Sequence, residues 1–200
     1  MCANRYSFVS FYPMERNHRE AARRIFLTGF MGSGKSTIGP ILANTLGYEY
    51  FDVDKLIEQQ AGKRVLEIFG EEGEQLFRKR ERDALAIVCS RDRCVVSLGG
   101  GTIANEENLR LIREHGVLVY IALSAEEILL RVQHRTDRPL LKNADGKNLP
   151  PREMDRRVRE LLSLRAPFYE RADVVVPADR QRVGITVDEI VKRLRPFVHA

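Results

Sequence analysis

The sequence predicts an α/β protein of three layers, a five-stranded parallel sheet covered by helices on both faces. Three observations carry that prediction. Short apolar runs bounded by turn residues alternate with longer stretches of helical periodicity. The first apolar run opens directly into the glycine-rich stretch GFMGSGKST. No internal repeat, low-complexity tract or linker divides the 200 residues, which suit one domain with a full core.

The elements follow in order. Residues 1–24, MCANRYSFVSFYPMERNHREAARR, show no clear pattern and lack the apolar region of a secretory signal. Glu15 and Glu20 interrupt the positive charge a transit peptide carries, so the stretch reads as a disordered or loosely docked extension, with Met14 as an alternative start. A buried strand is expected over 24–28, where Ile25, Phe26 and Leu27 are consecutive. Behind the glycines, Ile38, Ile41, Leu42 and Leu46 recur at helical spacing over 35–46, and Gly47 is placed to cap that helix. A second strand is expected over 48–53, ending in FDVD, and a helix over 54–61. Helical periodicity then runs over 65–90, cut by the breaks at Gly62, Gly70 and Gly73. Strands over 94–98, 117–123 and 173–176 alternate with helices over 106–114, 125–133, 152–170 and 187–197. Between the expected helices over 125–133 and 152–170 lies RTDRPLLKNADGKN, an arginine-bearing loop that reads as a lid over about 134–150.

Gly29, Gly34, Lys35 and Ser36 satisfy G-x-x-x-x-G-K-[ST] between a strand and a helix, the context a P-loop requires. Glycines let backbone N–H groups converge on phosphates, and the helix N-terminus adds a favourable dipole. Gly32, Ser33, Gly34, Lys35, Ser36 and Thr37 are the candidate nucleotide contacts. Lys35 is suited to the β- and γ-phosphates and Ser36 to Mg²⁺. A nucleoside triphosphate such as ATP is therefore expected.

Composition narrows the rest. Hydrophobic residues make up 44% and charged residues 30%, as in ordinary globular proteins. No apolar run of about 18 residues is present, so no membrane helix is expected. Three cysteines, Cys2, Cys89 and Cys94, are odd in number and lack metal-ligand spacing, which points to reduced thiols and a cytoplasmic protein. The net charge of +5 is confined: residues 131–171 hold eleven Arg or Lys against six Asp or Glu. Such a local excess fits an anion-handling lid better than a nucleic-acid face, with a solvated basic helix as the alternative.

In an open parallel sheet, ligands gather beyond the carboxyl ends of the strands. Asp52 and Asp54 flank Val53 there. If the strand continues, both carboxylates share a face, one assisting a metal and the other an acceptor hydroxyl; alternatively Asp54 caps the next helix. SLGGGTI puts Gly99, Gly100 and Gly101 at the third strand end, where they turn the chain and admit a ligand to the backbone. Periodicity leaves Arg78 and Arg165 open between surface ion pairs and ligand contacts. Arg138 in RTDRPLL sits where a lid arginine can reach a transferring phosphoryl group.

Taken together, GFMGSGKSTIG, FDVDKLIEQQAGKRVLEIFGEEGEQLFRKRE, VVSLGGGTI, RTDRPLL and RAPFYERADVVV resemble the shikimate kinase family, in the family's order, over about 25–195. The resemblance implies ATP-dependent phosphorylation of the 3-hydroxyl of shikimate by a monomeric enzyme. It implies that Ser36 and Asp52 serve Mg²⁺, Asp54 binds the shikimate hydroxyls as the base, and Lys35 and Arg138 complete the catalytic set. Arg78 and Arg165 would clamp the carboxylate, with Gly100 and Gly101 contributing backbone contacts. Arg135 would flank the adenine, with Arg182 near it. A kinase of gluconate or another small hydroxylated acid is the main rival. A non-catalytic relative would have lost Lys35, Asp54 or Arg78, and all three are present. A guanine-nucleotide switch would carry N-K-x-D or T-K-x-D, and neither occurs.

Overall fold

The structure is a computed structural model that describes residues 23–133, 139–143 and 145–198. The expected N-terminal extension lies outside the described residues apart from its last two positions. Five strands, β1 (Arg24–Thr28), β2 (Glu49–Asp52), β3 (Cys94–Ser97), β4 (Val117–Ala122) and β5 (Val174–Pro177), form one parallel sheet in the order β2-β3-β1-β4-β5. The helices are α1 (Lys35–Leu46), α2 (Val53–Ala61), α3 (Val65–Glu71), α4 (Gly73–Cys89), α5 (Glu106–His115), α6 (Ala125–Val132), α7 (Pro151–Tyr169) and α8 (Val183–Val198).

Side-chain alternation assigns the two faces. In β1, Ile25 and Leu27 enter one core while Phe26 enters the other, and in β4 Val119 and Ile121 oppose Leu118 in the same way. The first core takes Leu42 of α1, Val158 of α7 and Ile190 of α8; the second takes Ile57, Ile68, Leu85 and Leu109 from α2, α3, α4 and α5. Both faces are thus dry, which is why these strands read as continuous apolar runs. β1 lies at the centre of the sheet, so the loop leaving it emerges between β3 and β4, where the strand connections diverge to the two sides.

The pattern over 65–90 divides into α3 and α4 at the expected glycine break, where Gly73 at φ 82° occupies a conformation that side-chain-bearing residues avoid. Two expectations change. The second strand stops at Asp52, and Val53 already belongs to α2 with its side chain wholly buried. The last helix begins at Val183, one turn earlier than Val187.

Gly116, between α5 and β4, is enforced by packing: a Cβ there would stand 2.4 Å from the Arg24 carbonyl oxygen and 2.7 Å from the Phe26 ring. Replacing it with alanine must push a helix end off the central strand. Gly116→Ala should therefore lower the unfolding free energy by roughly 1–3 kcal/mol, measured by urea melts, while leaving the loops at the opposite ends of the strands unchanged.

Candidate active site

The loop from β1 to α1 forms the floor of a cleft of about 470 Å³ lined by Gly32, Ser33, Gly34, Lys35, Ser36 and Thr37. Gly32 and Gly34 have φ of 82° and 91°, so their N–H groups take directions that a chain of L-residues would resist. Gly29 is held by crowding as well, since a Cβ would meet the Ile121 carbonyl at 2.7 Å. Gly34 caps α1, and Thr37 and Ile38 donate their N–H groups to its carbonyl at 2.9 and 2.8 Å. The Lys35 ammonium is drawn over the loop by the carbonyls of Gly29 (2.8 Å) and Phe30 (3.2 Å) and by the Ser33 hydroxyl (3.3 Å). A cation, converging N–H groups and a helix N-terminus make one anion site.

Asp52 and Asp54 line the same cleft but take different roles from those a continuing strand would assign. Asp52 is the N-cap of α2, accepting from the Lys55 N–H at 3.3 Å, and Asp54 stands in the first helical turn. Neither shared strand face nor an Asp54 cap is found, because the backbone turns helical at Val53. Asp52 also reaches the P-loop: the Ser36 hydroxyl donates to its Oδ2 at 3.2 Å, and the Tyr50 hydroxyl contacts the same oxygen at 3.3 Å and Ser97 Oγ at 3.0 Å. Ser36 and Asp52 are adjacent hard oxygen donors. Among the described residues no group of three or more His, Cys, Asp or Glu gathers for a metal. That donor set fits a Mg²⁺ ion held by one or two protein oxygens with phosphate and water completing its shell.

The third wall is the glycine turn after β3. A Cβ on Gly99 would lie 2.9 Å from Glu81 Oε1 and 3.0 Å from Asp54 Oδ1; on Gly100, 3.4 Å from Arg165 Nη1; on Gly101, 3.0 Å from an Arg78 nitrogen. The three glycines therefore bring two carboxylates and two guanidiniums against a single stretch of bare backbone. Arg78 and Arg165 line an adjoining pocket of about 420 Å³ with Gly101, Asn105 and Phe168. Arg165 is 7% exposed, with its carbon 5.4 Å from the Phe30 ring centroid, and its buried Nη1 has no hydrogen-bond partner among the described residues. A buried cationic donor of that kind calls for an anionic acceptor. Arg78 is held by the buried Glu81 at 2.9 Å and by Glu74 at 3.0 Å. Desolvation pulls its pKa down, and the Glu81 and Glu74 carboxylates together outweigh that and raise it, so Arg78 stays firmly charged. Thr102 donates to the other Glu81 oxygen at 2.6 Å, tying the glycine turn to the clamp.

Among the expected site residues, the P-loop set, Asp52, Asp54 and Gly100 share the cleft, while Arg78, Gly101 and Arg165 share the pocket beside it. Arg182 is exposed just before α8; its neighbours Gln181 and Val183 line the cleft, and it does not. Arg135 and Arg138 fall outside the described residues. Two contributors escaped sequence reasoning. Arg131 lines the cleft, bonding Glu127 at 2.8 Å, the Gly32 carbonyl at 3.2 Å and the Ala178 carbonyl at 3.4 Å. Its only sequence signal was an i,i+4 pair in a last helical turn, which local helix energetics already explains. Glu81, 1% exposed, hid among alternating charges in α4.

A family model described as shikimate kinase matches residues 31–195. A shikimate kinase from Chlorobaculum tepidum is 49% identical over 174 residues, spanning 87% of this chain and 91% of that protein. A solved shikimate kinase from Acinetobacter baumannii, in complex with shikimate, is similar with a TM-score of 0.80 and 31% identity, over 88% of this chain and 95% of that one. A gluconokinase from Sinorhizobium meliloti, 20% identical with a TM-score of 0.55, shares the fold.

Burial above all, offset by the Ser97 hydrogen bond and reinforced by Asp52, raises the Tyr50 phenol from 10.0 to about 12. Folding thus favours the neutral phenol. Its contribution is complete below the unfolded value of 10.0 and is lost as pH rises through about 12. Stability should fall across that window, and Tyr50→Phe should flatten the slope, checked by urea melts at about pH 9 and about pH 11.5.

Proposed function

The chain belongs to the shikimate kinase family and phosphorylates shikimate with ATP as donor, and on that premise we propose how its own residues divide the reaction. Asp54 faces the acceptor, accepts the hydrogen bond of the shikimate 3-hydroxyl and takes its proton as the oxygen attacks the γ-phosphorus. The phosphorus–oxygen bond to ADP breaks on the opposite side, in line. Lys35 and the N–H groups of the P-loop, residues 32–37, hold the phosphates and offset the charge gathering on the leaving oxygen. Ser36 and Asp52 would hold Mg²⁺, which when bound neutralises phosphate charge. Arg165 and Arg78 grip the shikimate carboxylate, with Gly100 and Gly101 supplying close backbone. Arg138 contacts the phosphates from the lid, Arg135 flanks the adenine, and Arg182 stands at the border of that subsite.

One observation carries this division: the three glycines after β3 bring Asp54, Arg165 and Arg78 around one turn beside the P-loop. A carboxylate for hydroxyls at one end and two cations at the other match a small monocarboxylic polyol. The lid, about 134–150, would exclude water so that the phosphoryl group goes to the acceptor. The kinase domain in this reading is 25–200, with 1–24 as an extension. In this reading the protein acts as a cytoplasmic monomer without nucleic-acid or membrane partners, and its free thiols Cys89 and Cys94 accord with a reducing compartment. Four arginines of the basic segment, Arg156, Arg157, Arg159 and Arg171, stand in ion pairs with glutamate or aspartate, which further disfavours a nucleic-acid face.

ADP release from ATP and Mg²⁺ should rise strongly with shikimate and remain near background with gluconate. Stimulation by gluconate alone would sink the acceptor assignment. Asp54→Asn should lower kcat by about 10²–10⁴-fold with little change in the ATP KM. An equal loss of ATP affinity would make Asp54 a metal or structural residue instead. Arg165→Ala should raise the shikimate KM by about tenfold or more, because the shikimate carboxylate loses one of its two charged donors.

A further inference from the structure

The Gly100–Gly101 peptide is the least restrained part of the acceptor wall by its own chemistry. Glycine on both sides removes the steric barrier that normally fixes a peptide plane, so this one can adopt either orientation at little cost. The backbone bonds of the turn do not hold it. Thr102 N–H donates to the Gly99 carbonyl at 3.2 Å and Ala104 N–H to the Gly101 carbonyl at 3.0 Å, and those carbonyls belong to the peptides on either side. Among the described residues, the one hydrogen bond to the Gly100–Gly101 peptide comes from a side chain: the Tyr169 hydroxyl donates to the Gly100 carbonyl at 3.1 Å.

Tyr169 is built for a fixed direction. It is 2% exposed, and its ring stacks on Tyr120 of β4 with centroids 4.4 Å apart and planes 4° from parallel. Tyr169 stands four residues after Arg165 on α7, so the two side chains project from the same face. Burial pushes the phenol pKa up, with the neighbouring Arg165 guanidinium opposing, so the hydroxyl stays a proton donor at neutral pH. In a trans peptide the carbonyl and the following N–H point in opposite directions. A carbonyl drawn to Tyr169 therefore sends the Gly101 N–H away from that phenol, on the turn that lines the pocket with Arg78 and Arg165.

We propose that Tyr169 is a positioning residue for the acceptor: through the Gly100 carbonyl it fixes the peptide whose Gly101 N–H, in the pocket shared by Arg78 and Arg165, donates to the shikimate carboxylate. The inference rests on the reading of Arg165 and Gly101 as carboxylate contacts. Tyr169 itself does not touch substrate. Phenylalanine at this position would keep the volume and the stack, so the hydroxyl is what the turn requires.

The test compares Tyr169→Phe and Arg165→Lys with the unaltered chain, using calorimetric titration of shikimate and of ATP. Tyr169→Phe should weaken shikimate binding by about three- to tenfold and leave ATP binding within about twofold. Loss of both to the same degree would mark a general structural role and overturn the assignment; so would loss of neither. In the unaltered chain labelled with ¹⁵N-glycine, shikimate should slow hydrogen exchange at the Gly101 amide, and unchanged exchange would also overturn it, whether or not the variant folds. Arg165→Lys separates the premises. If it weakens shikimate while Tyr169→Phe does not, only the Tyr169 assignment fails; if it has no effect, the carboxylate-clamp reading fails.

Discussion

Backbone must come where side chains cannot, and the rest of the site is arranged around that constraint. At the end of β1 a Cβ on Gly29 would press on the β4 carbonyl of Ile121, and at the end of β3 the Gly99–Gly101 turn would press on Asp54, Glu81, Arg165 and Arg78. These are neighbouring strands of the sheet, so the two glycine segments are adjacent and leave one hollow between them. N–H groups line one side of that hollow and charged side chains the other. Phosphoryl transfer needs little covalent help from a protein and much positioning, and bare backbone supplies donors closer to a ligand than any side chain would.

Charge inside this hollow is stabilised by neighbours rather than by water. Glu81 is almost wholly buried, and its burial is tolerable because Arg78 meets one oxygen and Thr102 the other. The same contacts keep Arg78 pointed at the glycine turn, so one buried carboxylate holds both a cation and a loop in register. Arg165 differs, with an aromatic ring under its guanidinium and one buried nitrogen that has no hydrogen-bond partner among the described residues. Asp52 couples α2 to the P-loop: it caps the helix that carries Asp54 while accepting from Ser36. Any shift of α2 therefore moves Asp54 relative to the phosphate cradle.

Tyr50 and Gly39 show how far such coupling extends into the packing. A Cβ on Gly39 of α1 would lie 2.3 Å from the Tyr50 ring, so the helix yields space to the tyrosine whose hydroxyl links Ser97 with Asp52. α1, β2 and β3 thus meet through one phenol. The surface arginines follow another logic: Arg159 of α7 pairs with acids on its own helix and on α6, and Arg171 just beyond α7 pairs with Glu106 of α5. Exposed pairs of this kind contribute little to stability and serve mainly to balance charge.

The sequence by itself determined whatever depends on near neighbours along the chain. Apolar runs became strands, 3.6-residue periodicity became helices, Gly34 and Gly47 bounded α1, and the P-loop pattern placed an anion site at a helix N-terminus. The glycine triplet was equally legible, because three consecutive glycines at a strand end have few other uses. Tertiary structure decided what depends on residues far apart in the chain. Asp52 rather than Asp54 caps α2 because the strand ends where Val53 turns into the core, and burial is a property of the whole sheet. Arg131 reaches Gly32 across 99 positions, Thr102 reaches Glu81 across 21, and Tyr169 reaches Gly100 across 69. In the sequence each of these resembles an ordinary helix or turn residue. Their roles arise only when the sheet order sets β3 and β4 on either side of β1 and brings α4, α6 and α7 to the same strand ends.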